Sequence, residues 1–286
     1  NASTRAVANM GDAGHAPGVA SRRWERLAAP ALRAAAVGWY CAAMAGQLFF
    51  AVYIVAFFWN AAAHGRPDTW NQVLSPGYVA GDTVGNVVLA SHLLFAVAVT
   101  VGGLLQLVQR IRQRRPAFHR WNGRVFLLSA VIASVGGLVM VWTRKTGGDL
   151  SQHLGISLMA LLILGFAAMT LRHAMARRFD LHRRYALRLF LVVSGGWFFR
   201  VGLMLWIVAN QGPAGFDPKT FTGPFLTFLS FADYLVPLAL LELYFRAQQS
   251  LQPRTQLAMA GGLGVVTLAM TGGIAAAAAI LWLPHL

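Results

Sequence analysis

Apolar residues along this chain come in long unbroken runs, neither alternating as in a strand nor confined to one stripe as in a soluble helix. A helix needs roughly 20 apolar residues to cross the hydrocarbon of a bilayer. Seven runs meet that length or approach it, at 34–59, 84–108, 121–142, 154–171, 185–209, 224–245 and 257–283. Without water to satisfy the backbone, each run has to close its own hydrogen bonds as a helix. The expectation is an all-α, polytopic integral membrane bundle of about seven transmembrane helices. It forms a single domain over 34–286, with the spans of 84–209 as its core. A Gly/Ala/Ser-rich leader, 1–33, precedes it and is expected to be flexible. The first apolar run is too long for a signal peptide and follows an arginine cluster. The last span carries Ala275–Ala279 and Gly261, Gly262 and Gly264, which suits close helix packing.

Composition agrees with lipid as the solvent. Hydrophobic residues make up 57% and charged residues only 12%, about half the charged share of a soluble domain, and the mean hydropathy is +0.56. The net charge of +15 would suggest nucleic acid in a soluble protein. Here it follows the topology. Alternate connections hold Arg22, Arg23, Arg26 and Arg33, then Arg110, Arg112, Arg114, Arg115, Arg120 and Arg124. Arg172, Arg177, Arg178, Arg183, Arg184 and Arg188 follow on the same side, then Arg246 and Arg254. The other connections offer only Arg66, Arg144, Lys145 and Lys219. Positive-inside bias puts the arginine-rich side in the cytoplasm of a bacterial inner membrane, with the N-terminus in and the C-terminus out. The arginines then face anionic lipid headgroups, and no nucleic-acid partner is expected, since the loops lack interleaved aromatics. The connection 61–83, with Pro67, Trp70, Pro76 and Tyr78, is long enough to cover an outer cavity. Cys41 is the lone cysteine and forms neither an intrachain disulfide nor a cysteine metal site.

Candidate chemistry is carried by histidines and by charges inside the spans. No P-loop, nucleophile elbow, HExxH or dinucleotide fingerprint is present, so no hydrolase or transferase is indicated; an enzyme here would be an oxidoreductase. His92 lies in the outer half of the second span and His153 begins the fourth, 18 residues before Arg110 and 19 before Arg172. That spacing puts both at one depth, as bis-imidazole ligation of a haem iron requires. His119 and His182 precede the third and fifth spans on the inner side, roughly 30 Å from the outer pair. For each histidine the bland alternative is a capping or interfacial residue. Arg200 and Asp233 lie well inside spans five and six at matching depth and are expected to pair. Glu242 is placed to meet Arg188 or Arg124. Such intramembrane charges are either register-locking pairs or a substrate-anion or proton site.

The residues His119–Arg124, reading HRWNGR, and His182–Arg188, reading HRRYALR, are followed by Arg200 twelve residues later. With His92 ahead of them, they resemble the bacterial predicted-membrane-protein family called domain of unknown function 2306, whose signatures are a HRWxGR box and a HRRWMIR box with a downstream arginine. The resemblance covers roughly His92 to Arg200 and marks His92, His119, Arg120, Trp121, Gly123, Arg124, His182, Arg183, Arg184, Arg188 and Arg200. Tyr185 and Ala186 depart from the tryptophan and methionine of the second box, and His153 is not a family position. The family name implies a fold and no activity. A weaker resemblance, in histidine placement alone, is to transmembrane di-haem b-type cytochromes.

Two function classes follow. In one, haem b is held by His92 and His153, and less securely by His119 and His182. Arg124, Arg188 or Arg144 contact propionates, and electrons arrive from a quinol or other redox partner. In the other, a haem-free transporter or lipid- or anion-binding protein uses the His/Arg boxes for anionic headgroups and Arg200–Asp233 as a gating pair.

Overall fold

The computed structural model describes residues 19–74, 76–146 and 148–286; the leader up to residue 18 lies outside them. Helix α1 (Val19–Ile54) continues through a π turn, Val55–Trp59, into α2 (Asn60–Ala63). Residues 19–33, read from sequence as leader, are its first turns. A 3-10 turn, Pro67–Gln72, leads to α3 (Thr83–Leu107) and the short α4 (Gln109–Arg114). Then come α5 (Pro116–Thr143), α6 (Leu150–Met175), α7 (Phe179–Val193), α8 (Gly195–Ala209), α9 (Pro224–Gln249) and α10 (Pro253–Ala277). Among the described residues the only β pairing is one bridge between Asp217 and Thr222.

Six helical segments are long and apolar enough to cross a membrane, and α7 with α8 passes the same test as a pair bent by 50°. All seven expected runs therefore fall on helices, with ends that follow local chemistry. Asp82 caps α3 by accepting from the Gly85 N–H at 2.8 Å, and Asp149 caps α6 through Gln152 at 3.0 Å. Prolines open α5, α9 and α10 at the first turn, where no N–H is needed. The bend in the fifth span has a local cause. Ser194 Oγ donates back to the Phe190 carbonyl at 2.8 Å, a bond that competes with the helical ladder, and Gly195 and Gly196 follow. A Cβ on Gly195 would stand 2.5 Å from the Met159 sulfur of α6, so a larger residue there displaces that side chain.

Two apolar layers divide the bundle. One, near the arginine-poor end, joins α1, α3, α8, α9 and α10 through Phe50, Tyr53, Leu93, Trp197, Leu229, Met270 and Trp282. The other joins α3, α5, α6, α7 and α9 through Val99, Phe126, Ile163, Leu189 and Tyr234. Trp70 is buried over the first layer and donates to the Phe58 carbonyl at 3.0 Å, so the connection between α2 and α3 is folded down onto the bundle.

Candidate functional site

At the arginine-rich end the two His/Arg boxes open α5 and α7. His119, in the first turn of α5, lies within the electrostatic field of Arg112, His182 and Arg120. His182, in the first turn of α7, has its Nδ1 3.0 Å from the Thr170 carbonyl at the end of α6. His173, one turn beyond Thr170, is buried and stacks on Tyr185 of the second box, with ring centres 5.2 Å apart. Gly123 of the first box leaves room for the Gln106 side chain of α3, which donates to the His119 carbonyl at 2.9 Å. Asn122, buried, donates to the Gly102 carbonyl at 2.9 Å. The box is thus tied to α3 by two amide side chains that sequence reading passed over. Their signal is faint: a polar residue at each of two otherwise apolar helix faces.

Arg188 does not project toward a ligand. Its Nε donates to Glu242 at 2.7 Å, and its guanidinium lies over Tyr185 and Phe245. Of the two partners expected for Glu242, Arg188 is the one present; Arg124 is exposed. Arg144 is likewise engaged. It meets Asp82 at 3.4 Å and donates to the Gly77 and Gly85 carbonyls at 2.9 and 3.1 Å. It fastens the 64–82 connection to the end of α5 and leaves no role beside a propionate.

The outer histidines are not at one level. His92 faces α5, with Nδ1 3.0 Å from the Ala133 carbonyl and Gly137 beside its ring. His153 packs edge-on against Trp142, nine positions farther along α5, at 5.9 Å between centres. Nine helical residues are about 13 Å. The reason lies in the counting from arginines. Arg110 sits beyond a break at Val108 on the separate helix α4, so its distance to His92 is not a continuous helical rise. Measured to the helix ends, His92 is 15 residues from Leu107 and His153 is 22 from Met175. The residues as placed do not fit a haem held between His92 and His153. Nor do three His, Cys, Asp or Glu side chains converge on a metal position among the described residues.

Arg200 and Asp233 do not pair. Arg200 Nη1 donates to the Gly196 carbonyl at 2.7 Å, and the guanidinium lies over Phe50 of α1 at 5.3 Å. Asp233 is buried on α9 against Gly195, and its Oδ1 has no hydrogen-bond partner. Gly195 and Arg200 are five residues apart, so their faces differ by about 140° around α8. Gly195 also lies about 7 Å along the helix from Arg200, so neither the expected common level nor the expected facing is present. His92 of α3 and Tyr53 of α1 lie within the field of the Arg200 charge. His92 is nine residues into α3 and Arg200 nine before the end of α8, so both lie about 13 Å below the arginine-poor end. Both are half-buried, against the apolar layer that contains Phe50 and Tyr53.

These elements, from α3 into α9, coincide with a stretch shared with other proteins. A model of the predicted membrane proteins of domain of unknown function 2306 matches residues 89–236. The chain belongs to that family. The family segment begins three residues before His92, contains both boxes, Arg200 and Asp233, and ends just before Pro237. Helices α1 and α10 lie outside it, so Phe50 and Tyr53, which complete the surroundings of Arg200, come from outside the matched segment. No curated protein and no solved structure matches the chain.

Proposed function

We propose that this family member is a haem-free membrane protein that binds an organic anion with an apolar body at Arg200, beside His92. In this reading the arginine-rich end faces the cytoplasm of a bacterial inner membrane. The observation that carries it is the state of Arg200. A guanidinium has five N–H donors, and this one makes a single hydrogen bond, to its own helix. No carboxylate reaches it: the ion pairs among the described residues are Arg144–Asp82 and Arg188–Glu242. A charge within a membrane span costs several kcal/mol or more unless it is paired or reaches water. Phe50 offsets part of that through its ring face, on the order of 1–2 kcal/mol. A carboxylate or phosphate would take the remaining donors as short charge-assisted bonds, and His92 Nε2 is free to add another. The ring of Phe50, against which the guanidinium lies, suits the apolar part of such a ligand.

The test uses protein purified in mild detergent, with oleate as the probe and oleyl alcohol as the uncharged control of equal chain length. Oleate is expected to raise the unfolding temperature and oleyl alcohol to leave it unchanged. Arg200→Gln is expected to remove the oleate response. Equal shifts from both compounds, or an unaltered response in Arg200→Gln, would sink the reading. A reduced-minus-oxidised visible spectrum of protein from haem-supplemented cells is expected to lack a b-type α-band; a stoichiometric band would restore the cytochrome alternative.

A further inference from the structure

Irregularities in two neighbouring spans meet at one buried carboxyl group. Asp233, nine residues into α9, is 7% exposed. Across from it the fifth span breaks at Ser194–Gly195, and a Cβ on Gly195 would stand 3.7 Å from Asp233 Oδ2. On its own helix, Pro237 follows four residues later. Proline has no N–H, so the main-chain carbonyl of Asp233 loses its helical donor. The side-chain Oδ1 has no hydrogen-bond partner either.

No counter-ion meets this group. Helix α9 packs against α6, α7, α8 and α10, and the ion pairs among the described residues are elsewhere. Arg200, the one ionisable residue of α8, bonds the Gly196 carbonyl and lies over Phe50. On α10 the one ionisable residue is Arg254, in the first turn at the arginine-rich end. The ionisable residues of α7 lie between Asp180 and Arg188, and Arg188 is held by Glu242. On α6, His153 packs against Trp142 near one end, and Arg172 and His173 lie in the last turn at the other. On α9 itself, the Tyr234 hydroxyl donates to the Gly155 carbonyl at 3.2 Å, while Glu242, Tyr244 and Arg246 lie two or more turns farther on. From α1 the break receives a neutral amide: Gln47 donates to Ser194 Oγ at 3.1 Å.

An ionised carboxylate at Asp233 is thus a charge without a counter-ion inside a span. Buried groups leave that state by becoming neutral. A metal cation would need several oxygen ligands, and no three His, Cys, Asp or Glu side chains converge among the described residues. A proton needs a single oxygen and no cavity. Ionisable side chains in such positions serve proton relays in membrane proteins, and broken helices are where coupling ions are held.

We infer that Asp233 is a proton-binding site inside the bundle, which holds one proton as the neutral acid and exchanges it with solvent. Arg200 is not part of this site, so the inference does not rest on the anion reading.

Infrared spectroscopy of the purified protein in an ester-free detergent tests it, because a protonated carboxyl absorbs apart from an ionised one. At neutral pH the wild-type protein is expected to show a carboxylic-acid carbonyl band that Asp233→Asn lacks. The band is expected to shift in deuterium oxide and to fade as the pH is raised. Should the variant not fold, wild-type protein grown on aspartate carrying carbon-13 in its side-chain carboxyl is expected to show the band displaced. The other described aspartates lie in connections or at helix starts, so that displacement identifies Asp233. Absence of the band at neutral pH means an ionised Asp233 and overturns the inference. A band that neither shifts in deuterium oxide nor responds to pH marks a sealed structural acid, and the inference falls equally.

Discussion

Single residues show how far identity alone reaches. Glu242 and Arg188 had the correct chemistry to pair, and they do; Arg200 and Asp233 had it too and do not. What separates the cases is level and facing, neither of which a residue count fixes when a span is bent. The Arg188–Glu242 bond is short, but Glu242 is 45% exposed. Solvent screening holds the worth of such a pair to about 1 kcal/mol or less. A double-mutant cycle with Arg188→Gln and Glu242→Gln, read by equilibrium unfolding in detergent, is expected to return a coupling of that size. A coupling of several kcal/mol would show the pair to be shielded far more than its exposure indicates. Histidines were legible as unusual in an apolar chain, yet their partners were not. His92 meets a backbone carbonyl on α5, and carbonyls leave no trace in a residue-type pattern. Gln106 and Asn122 were missed for the same reason, each serving a main-chain oxygen across a helix interface.

Helices were the most legible level, because a run of apolar residues in lipid has no alternative to closing its own hydrogen bonds. Seven runs gave six whole spans and one broken one, and the break at Ser194–Gly195 could be read only weakly from a Ser-Gly-Gly triplet. Close approach between helices provides a sharp test on α6. A Cβ on Gly155 would stand 2.8 Å from the Ser230 carbonyl of α9, whereas Gly165 has nothing within 4 Å. Gly155→Ala is expected to destabilise by about 1–3 kcal/mol through backbone displacement. Gly165→Ala is expected to be neutral or stabilising by up to about 1 kcal/mol, since it removes a helix-disfavouring glycine. Unfolding of the two variants side by side checks both signs. The 64–82 connection belongs to this scale too. Arg144→Ala removes its ties to Asp82, Gly77 and Gly85. Amide exchange in residues 70–82 is expected to speed up while α5 itself stays protected; unchanged exchange there would mean that Trp70 alone holds the segment.

For the whole molecule, orientation is testable through the lone cysteine. Cys41 is exposed and replaceable by serine. A cysteine introduced at Lys145 or Lys219 is expected to react with a membrane-impermeant maleimide added outside intact cells. One at Arg178 or Arg254 is expected to react only after lysis. The reverse pattern would overturn the proposed orientation and place Arg200 nearer the cytoplasmic face. The sequence by itself determined the solvent, the number of spans to within one, the asymmetry of charge between the two ends and the family. Each of these depends on residue type summed over a segment, which survives any rotation of a helix about its axis. Only the tertiary structure decided that His92 meets the Ala133 carbonyl and is not level with His153, that Asp233 faces the break in the fifth span, and that His173 stacks on Tyr185 of the second box. Those relations turn on helix rotation, on the 50° bend and on the break at Val108, which are set by packing between distant segments and not by the run of residues within one.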